Sequence, residues 1–190
     1  MLYTLGHSTH PLERFAELLA AHGINAVADV RSSPYSRFNP QYNREPLRVS
    51  LRAMGSAYVF LGEELGARSD DPACREDGRV SYVRLARTDR FRRGLDRVME
   101  GMTRYRVALL CAEKDPLFCH RAILVSRRMA ERGVPIAHIR PDAALETHGE
   151  LETRLLRHLG IPERDLLHTR EQILDTAYAL QNARMSMGRK

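Results

Sequence analysis

Cysteine, histidine, glutamate and arginine side chains crowd one stretch of this sequence, residues 111–121. It reads Cys-Ala-Glu-Lys-Asp-Pro-Leu-Phe-Cys-His-Arg. Cys119 precedes a predicted helix, where the helix dipole and basic neighbours favour the thiolate, and a thiolate is a nucleophile. Glu113 is suited to act as a general base, and His120 as a proton carrier. We therefore predict catalytic roles for Cys119, Glu113 and His120, and a ligand-binding role for Arg121.

The same stretch also suits a metal ion. The thiolate and imidazole groups of Cys111, Cys119 and His120 are ligands that zinc and iron accept. The two cysteines are eight positions apart, and the chain has no Cys-x-x-Cys pair. Because this spacing is not a usual zinc motif, no cofactor is predicted, and a zinc or iron site is kept as an alternative.

A second polar stretch follows a predicted buried strand, residues 24–30. Asp29 ends this strand, where a carboxylate is costly unless it is paired, and Arg31 is its nearest partner. Cationic forks and hydroxyl groups beside it suit a phosphate or another oxyanion. The candidate ligand-binding residues here are Arg31, Ser33, Ser36 and Arg37. Asp29 is predicted to be catalytic; the alternative is an Asp29–Arg31 brace that only fixes the loop.

A third polar stretch, Gly6-His7-Ser8-Thr9, follows the first predicted strand. His7 is a candidate acid or base, and the hydroxyl of Ser8 is a candidate ligand contact. The alternative is structural: Ser8 or Thr9 caps the helix that begins at Pro11, and His7 is a satisfied neighbour.

The pattern of apolar residues alternates strands with helices, which predicts an α/β fold with a mainly parallel sheet of about five strands flanked by helices in three Rossmann-like layers. The predicted strands are 2–5, 24–30, 57–61, 105–112 and 134–139, and the helices are 11–22, 46–54, 88–102 and 120–132. Long loops are predicted over 31–44 and 62–80. Ligands bind outside the carboxyl ends of parallel strands, so the three polar stretches are expected to meet there.

The chain divides into a core domain, residues 1–140, and a helical extension, residues 141–183. The extension has two helices, 149–159 and 169–183, which either pack on the core or form a homodimer contact. A frayed tail is predicted over 184–190. His138 ends the last core strand, where it could reach the same cleft, whereas His148 is expected at the surface.

Composition narrows the class of protein. The 190 residues are 43% hydrophobic and 28% charged, which excludes disordered, collagen-like and disulfide-scaffold chains. Thirty basic against 24 acidic side chains give a net charge of +6, almost all of it from arginine. This balance suits an anionic small molecule or a nucleic acid as partner, although 6% aromatic content leaves little material for base stacking. The sequence has no apolar run long enough for a transmembrane helix, so no membrane contact is expected. It shows no signal segment, and its number of cysteines is odd, so the expected location is the cytoplasm.

These motifs together resemble a bacterial and archaeal family called domain of unknown function 488. The resemblance rests on Thr4-Leu5-Gly6-His7-Ser8, Asp29-Val30-Arg31-Ser32-Ser33-Pro34 with Ser36-Arg37, Cys111-Ala112-Glu113, and Cys119-His120-Arg121. It covers roughly residues 1–140. The resemblance implies a compact α/β protein with a site at these motifs, and it implies no established activity.

From the residues we predict a hydrolase or transferase that binds a phosphate-bearing ligand, a nucleotide or a nucleic acid, at the carboxyl ends of the strands. Two alternatives stay open. One is a non-catalytic module that binds nucleotide or nucleic acid. The other is a metalloprotein that uses Cys111, Cys119 and His120.

Overall fold

A six-stranded sheet forms the centre of the computed structural model, which describes residues 1–187. Its strands are β1 (Leu2–Gly6), β2 (Ala26–Asp29), β3 (Ala57–Phe60), β6 (Val107–Cys111), β7 (Ile136–Ile139) and β8 (Leu145–Thr147), in the order β3-β2-β6-β1-β7-β8. The first five are parallel to their neighbours, and β8 pairs antiparallel with β7. The predicted α/β fold with a mainly parallel sheet is confirmed.

The central strand β6 is buried on both faces, as its apolar sequence predicts. Because side chains alternate along a strand, Val107 and Leu109 point into one hydrophobic core, and Ala108 and Leu110 point into the other. Each face of the sheet therefore has its own core.

Helices cover both faces, which gives the three-layer arrangement. α1 (Leu12–Ala21) and α2 (Arg44–Ala53) cover one face through Phe15, Leu18 and Leu47. The other face carries α3 (Gly62–Leu65), α4 (Tyr82–Ala86), α5 (Asp89–Met102), α6 (Arg127–Ala130), α7 (His148–Leu159) and α8 (Arg170–Met187). No helix within residues 1–187 is long and apolar enough to cross a membrane.

The C-terminal helices α7 and α8 pack on the same core as α5. Leu155, Ile173 and Tyr178 are fully or almost fully buried there. The frayed tail predicted over 184–190 is wrong for its first four residues, which continue α8 because Met185 still packs against the core. Residues 188–190 lie outside the described part of the chain.

Short elements account for the other differences from the expected fold. Strand β8 lies where only helix was expected, because three residues are too few to show an alternating pattern. The predicted loop 62–80 contains α3 and a small hairpin of β4 (Arg75–Glu76) and β5 (Arg79–Val80).

The helix predicted over 120–132 begins with a π-helical turn, Arg121–Ser126, and continues as α6. A π-helical turn is rare and is frequently found at functional sites. It follows directly on Cys119 and His120, so it orients the end of the helix that carries these side chains.

Candidate functional site

Strands β1, β2 and β6 end at one level of the sheet. Gly6 pairs with Cys111, and Asp29 pairs with Leu110. Beyond β1, His7 N–H donates to the carbonyl of Cys111 and Ser8 N–H to that of Ala112, both at 2.9 Å. The structure thus brings the three polar stretches of the sequence together.

Gly6 allows this approach. A Cβ atom at Gly6 would lie 1.8 Å from the carbonyl oxygen of Glu113. Only a residue without a side chain lets the strand end and the loop after β6 come so close.

Four side chains meet at this edge and form the Cys–His–Glu cluster: Cys111, Glu113, Cys119 and His120. Their ligand atoms all lie within 4.8 Å of one another. The thiols of Cys111 and Cys119 donate to Oε2 of Glu113 at 2.9 and 3.0 Å, and Cys111 Sγ is 3.6 Å from Nδ1 of His120. Both cysteines are free thiols and buried, as is His120, whereas Glu113 is half-buried.

The backbone fixes the tautomer of His120. Its Nε2 lies 2.9 Å from the carbonyl oxygen of Val30. A carbonyl can only accept, so Nε2 carries the proton. In the neutral ring, Nδ1 then presents its lone pair to the cysteines. Histidines that bind metals have this arrangement, in which the distal N–H is held by a carbonyl or carboxylate.

The cluster is electrostatically coupled. Burial raises the pKa of the Cys111 thiol well above its ordinary value, reinforced by its hydrogen bond with Cys119. Burial acts in the same direction on Cys119, but the hydrogen bond from Cys111 and the charge of Arg121 outweigh it and lower the pKa to about 6. Burial also disfavours the charged carboxylate of Glu113, yet hydrogen bonds from both thiols lower its pKa to about 2. The pKa values of Cys119 and Glu113 are therefore both lowered, which favours negative charge in the cluster.

Arg121 supplies a buried positive charge beside the cluster. Its side chain is 0% exposed, and its two Nη atoms donate to the carbonyls of Glu113 and Lys114 at 2.6 and 3.2 Å. Its Nε has no hydrogen-bond partner within the described chain. These contacts fix the loop after β6. Together with the charge of a divalent cation, the charge of Arg121 would balance the negative charges of two thiolates and one carboxylate.

Asp29 and Arg31 form a second buried group next to the cluster. The guanidinium of Arg31 donates from Nε and Nη2 to the carboxylate of Asp29 at 2.9 and 2.6 Å. Asp29 is 0% exposed, and Arg31 is 6% exposed. Burial lowers the pKa of Arg31, but the hydrogen bonds and charge of Asp29 raise it overall. The pairing of Asp29 with Arg31 that the sequence suggests is present.

His7 joins this second group as an acceptor. Nη1 of Arg31 lies 3.2 Å from Nε2 of His7, and Nδ1 of His7 lies 2.8 Å from the carbonyl of Ser8. Burial, and then the charge of Arg31, lower the pKa of His7 to about 4. The ring is therefore neutral near pH 7, with its proton on Nδ1 and its lone pair held by Arg31.

The other candidate ligand contacts are placed differently. Ser8 is half-buried and has a left-handed backbone, with φ of 49°. Ser36 accepts from the backbone N–H groups of Phe38 and Asn39 at 3.2 Å, so it shapes its own loop. Ser33 and Arg37 are exposed, and Arg37 lies over the ring of Phe38 rather than in the buried groups.

Two tyrosines support the second group without having been singled out in the sequence. Tyr58 donates its hydroxyl to Oδ2 of Asp29 at 2.8 Å. Tyr42 stacks on His7 with ring centroids 4.2 Å apart, and its carbonyl accepts from Arg31. The signal that could have indicated the role of Tyr58 is its position in β3, the strand next to β2. The register between these strands decides which of their side chains meet.

A separate buried chain of hydrogen bonds contains His138 and His148. It runs from Thr4 to His138 (2.8 Å), to His148 (3.1 Å), to Tyr178 (3.1 Å) and to Glu152 (3.1 Å). His138 is therefore engaged inside the protein by Thr4 and His148. The expectation that His148 is a surface residue is wrong, because α8 covers it through Tyr178.

The fold and site define an α/β protein with a Cys–His–Glu cluster at the carboxyl edge of a parallel sheet. The chain belongs to the family described as Domain of unknown function DUF488, whose profile matches residues 11–127. That range includes the whole cluster and the Asp29–Arg31 pair. Comparison with curated proteins and with solved structures gave no match.

Proposed function

We propose that this protein is a metalloprotein that holds one zinc or iron(II) ion in the Cys–His–Glu cluster. Sγ of Cys111, Sγ of Cys119 and Nδ1 of His120 are the permanent ligands, and Glu113 occupies or borders the fourth position. The observation that carries the proposal is the convergence of four donor atoms within 4.8 Å. Two thiolates with an imidazole suit zinc and iron, and a carboxylate is an accepted fourth ligand.

Two further features support a cation rather than a cradle for an anion. The distal nitrogen of His120 is already held by Val30, as in metal-binding histidines. The buried arginines that were candidate phosphate ligands have internal partners: Asp29 for Arg31, and two carbonyls for Arg121. These guanidinium groups therefore stabilise the site through contacts inside the protein.

The hydrolase or transferase activity predicted from the sequence fits this centre as metal-assisted hydrolysis. A divalent ion with three such ligands activates water for attack on a carbonyl or phosphoryl group. Glu113 is half-buried and lies against both thiols, so it is the group placed to accept the proton that this water loses.

Metal analysis of the purified protein tests the proposal. We expect one zinc or iron per chain by inductively coupled plasma mass spectrometry. Cys119→Ser should lose at least nine-tenths of it. Cys74→Ser is the matched control, because Cys74 is equally buried but lies outside the cluster, and it should keep the metal. Wild-type protein that takes up neither metal, with added zinc or iron(II) under reducing conditions, would overturn the proposal.

The role of Glu113 is decided by Glu113→Gln. If Glu113 accepts a proton from water, the variant keeps its metal but loses hydrolysis of p-nitrophenyl acetate and p-nitrophenyl phosphate. If Glu113 is a fourth ligand of a closed structural site, the variant loses metal affinity, and the wild type hydrolyses neither ester. The second result would support the proposed metal site but contradict the proposed hydrolase activity.

A further inference from the structure

The loop over residues 31–44 exposes aromatic side chains. Phe38 is 85% exposed and Tyr35 is 65% exposed. Burying such a side chain is favourable, and the chain leaves two of them exposed within four residues. Single exposed apolar residues are ordinary; here two aromatic side chains are exposed in one loop, with an exposed arginine between them in the sequence.

Hydrogen bonds hold the backbone of this loop, so the exposure of Tyr35 and Phe38 does not result from a loosely held chain. Asn43 accepts from the N–H of Ser36 through its side chain at 2.7 Å. The hydroxyl of Ser36 then accepts from Phe38 and Asn39, and Arg44 N–H donates to the carbonyl of Pro34 at 3.0 Å. These bonds fix the backbone that carries Tyr35 and Phe38.

The charge of the loop has one sign. Residues 31–44 include three arginines and no aspartate or glutamate. Arg31 is paired with Asp29 and Arg44 lies 3.8 Å from Glu45, which leaves Arg37 as the exposed cation of the loop. The guanidinium of Arg37 lies 5.7 Å from the centre of the Phe38 ring, and both are exposed. Arg68 is also exposed, and its backbone N–H donates to the hydroxyl of Ser32 near the start of the loop at 3.1 Å. Aromatic rings with arginines beside them are the components of surfaces that bind single-stranded nucleic acid.

Both ends of the loop are attached next to the Cys–His–Glu cluster. Val30, just before the loop, accepts from His120. Near the far end, the carbonyl of Tyr42 accepts from Arg31. The two ends of the loop are therefore fixed at the edge of the sheet where the cluster and the Asp29–Arg31 pair lie.

We propose that the 31–44 loop binds single-stranded nucleic acid, with bases stacked on Phe38 and Tyr35 and phosphates held by Arg37 and Arg68. The net charge of +6 attracts the same partner. This surface lies outside the cluster and needs no metal, so the proposal does not depend on the one above.

Fluorescence anisotropy with labelled dT12 and U12 at low salt tests the proposal on the full chain. Phe38→Ala should weaken binding about 5- to 150-fold, which is the loss of about 1 to 3 kcal/mol of stacking per base converted to affinity. Arg37→Ala should weaken binding and flatten its dependence on salt. Comparing dT12 with U12 separates DNA from RNA as the preferred strand.

Tyr105→Ala and Arg79→Ala are the matched controls, because both residues are exposed and lie outside the loop. They should bind like the wild type. Absence of binding to either oligonucleotide would overturn the proposal, and so would equal affinity of Phe38→Ala and Tyr105→Ala. A preference for a 12-base-pair duplex would also overturn it, since paired bases do not stack on side chains. Phe38→Ala should retain full metal content, so failure here and failure of the metal centre are distinguishable.

Discussion

The carboxylate of Asp29 and the guanidinium of Arg31 form an ion pair almost entirely out of water. Asp29→Asn leaves the charge of Arg31 buried with a weaker partner. We expect the free energy of unfolding to fall by about 3 to 5 kcal/mol. Urea unfolding followed by circular dichroism measures the change.

The control is Glu17→Gln, which removes an exposed ion pair with Arg14. Water already solvates that pair, so the loss should stay below about 1 kcal/mol. Equal losses in the two variants would show that burial adds nothing to the Asp29–Arg31 pair.

At this scale the sequence reveals partners that are close along the chain. Asp29 and Arg31 are two positions apart at the end of an apolar strand, so their pairing follows from the cost of a lone buried carboxylate. Tyr58, Tyr42 and the carbonyl of Val30 reach their partners through strand register and loop closure. Residue types do not encode those contacts.

At the scale of elements, Gly6 controls how closely the end of β1 approaches the loop after β6. Gly6→Ala places a methyl group 1.8 Å from the carbonyl of Glu113, so the loop must move. We expect a loss of about 1 to 3 kcal/mol in unfolding free energy and reduced metal content. Gly149→Ala in α7 is the control: nothing lies within 4 Å of the added carbon, and a helical alanine should stabilise slightly. A metal content in Gly6→Ala equal to that of the wild type would contradict this role.

The chain of hydrogen bonds from Thr4 to Glu152 ties α7 and α8 to the sheet through neutral histidines. Burial and the charge of Arg127 lower the pKa of His148 to about 4, and burial with the neighbouring His148 lowers that of His138. In the unfolded chain, histidine takes up its proton near pH 6.5. The unfolded state therefore binds more protons between about pH 6.5 and pH 4, and stability falls as pH falls through that range.

The expected loss from His148 alone is about 2 kcal/mol between pH 7 and pH 5. Urea unfolding at both pH values measures it. His148→Gln keeps a polar side chain but cannot take up a proton, so its stability should fall less steeply over the same range. Parallel curves for wild type and variant would exclude His148 as the source.

For the whole molecule, the C-terminal helix completes the core. Ile173, Ala177 and Tyr178 of α8 are buried, and Gln181 donates to the carbonyl of Leu117 at 2.8 Å. Deletion of residues 169–190 should therefore cost about 5 kcal/mol or more, seen as a lower urea midpoint. An unchanged midpoint in this deletion would mean that the core stands without α8.

The overall architecture follows from periodicity, and its details do not. Alternating apolar runs were enough to predict the parallel sheet and the position of its carboxyl edge, where Cys111 and Cys119 meet. β8, the hairpin β4–β5 and the π-helical turn were not predictable, because each is set by tertiary contacts over a few residues. The burial of His148 was missed because it depends on α8, far along the chain.

The π-helical turn Arg121–Ser126 makes the number of residues in this segment important for the position of the side chains before it. Each residue of a regular helix advances the chain by about 100° around the axis. Deleting one residue from the turn would rotate the residues that precede it about the helix axis. His120 would then turn away from Cys111. Surface loops accept insertions and deletions freely, whereas we expect a deletion between Cys119 and Arg127 to displace His120. We therefore expect the number of residues between these two positions to matter to the geometry of the Cys–His–Glu cluster as much as the side chains do.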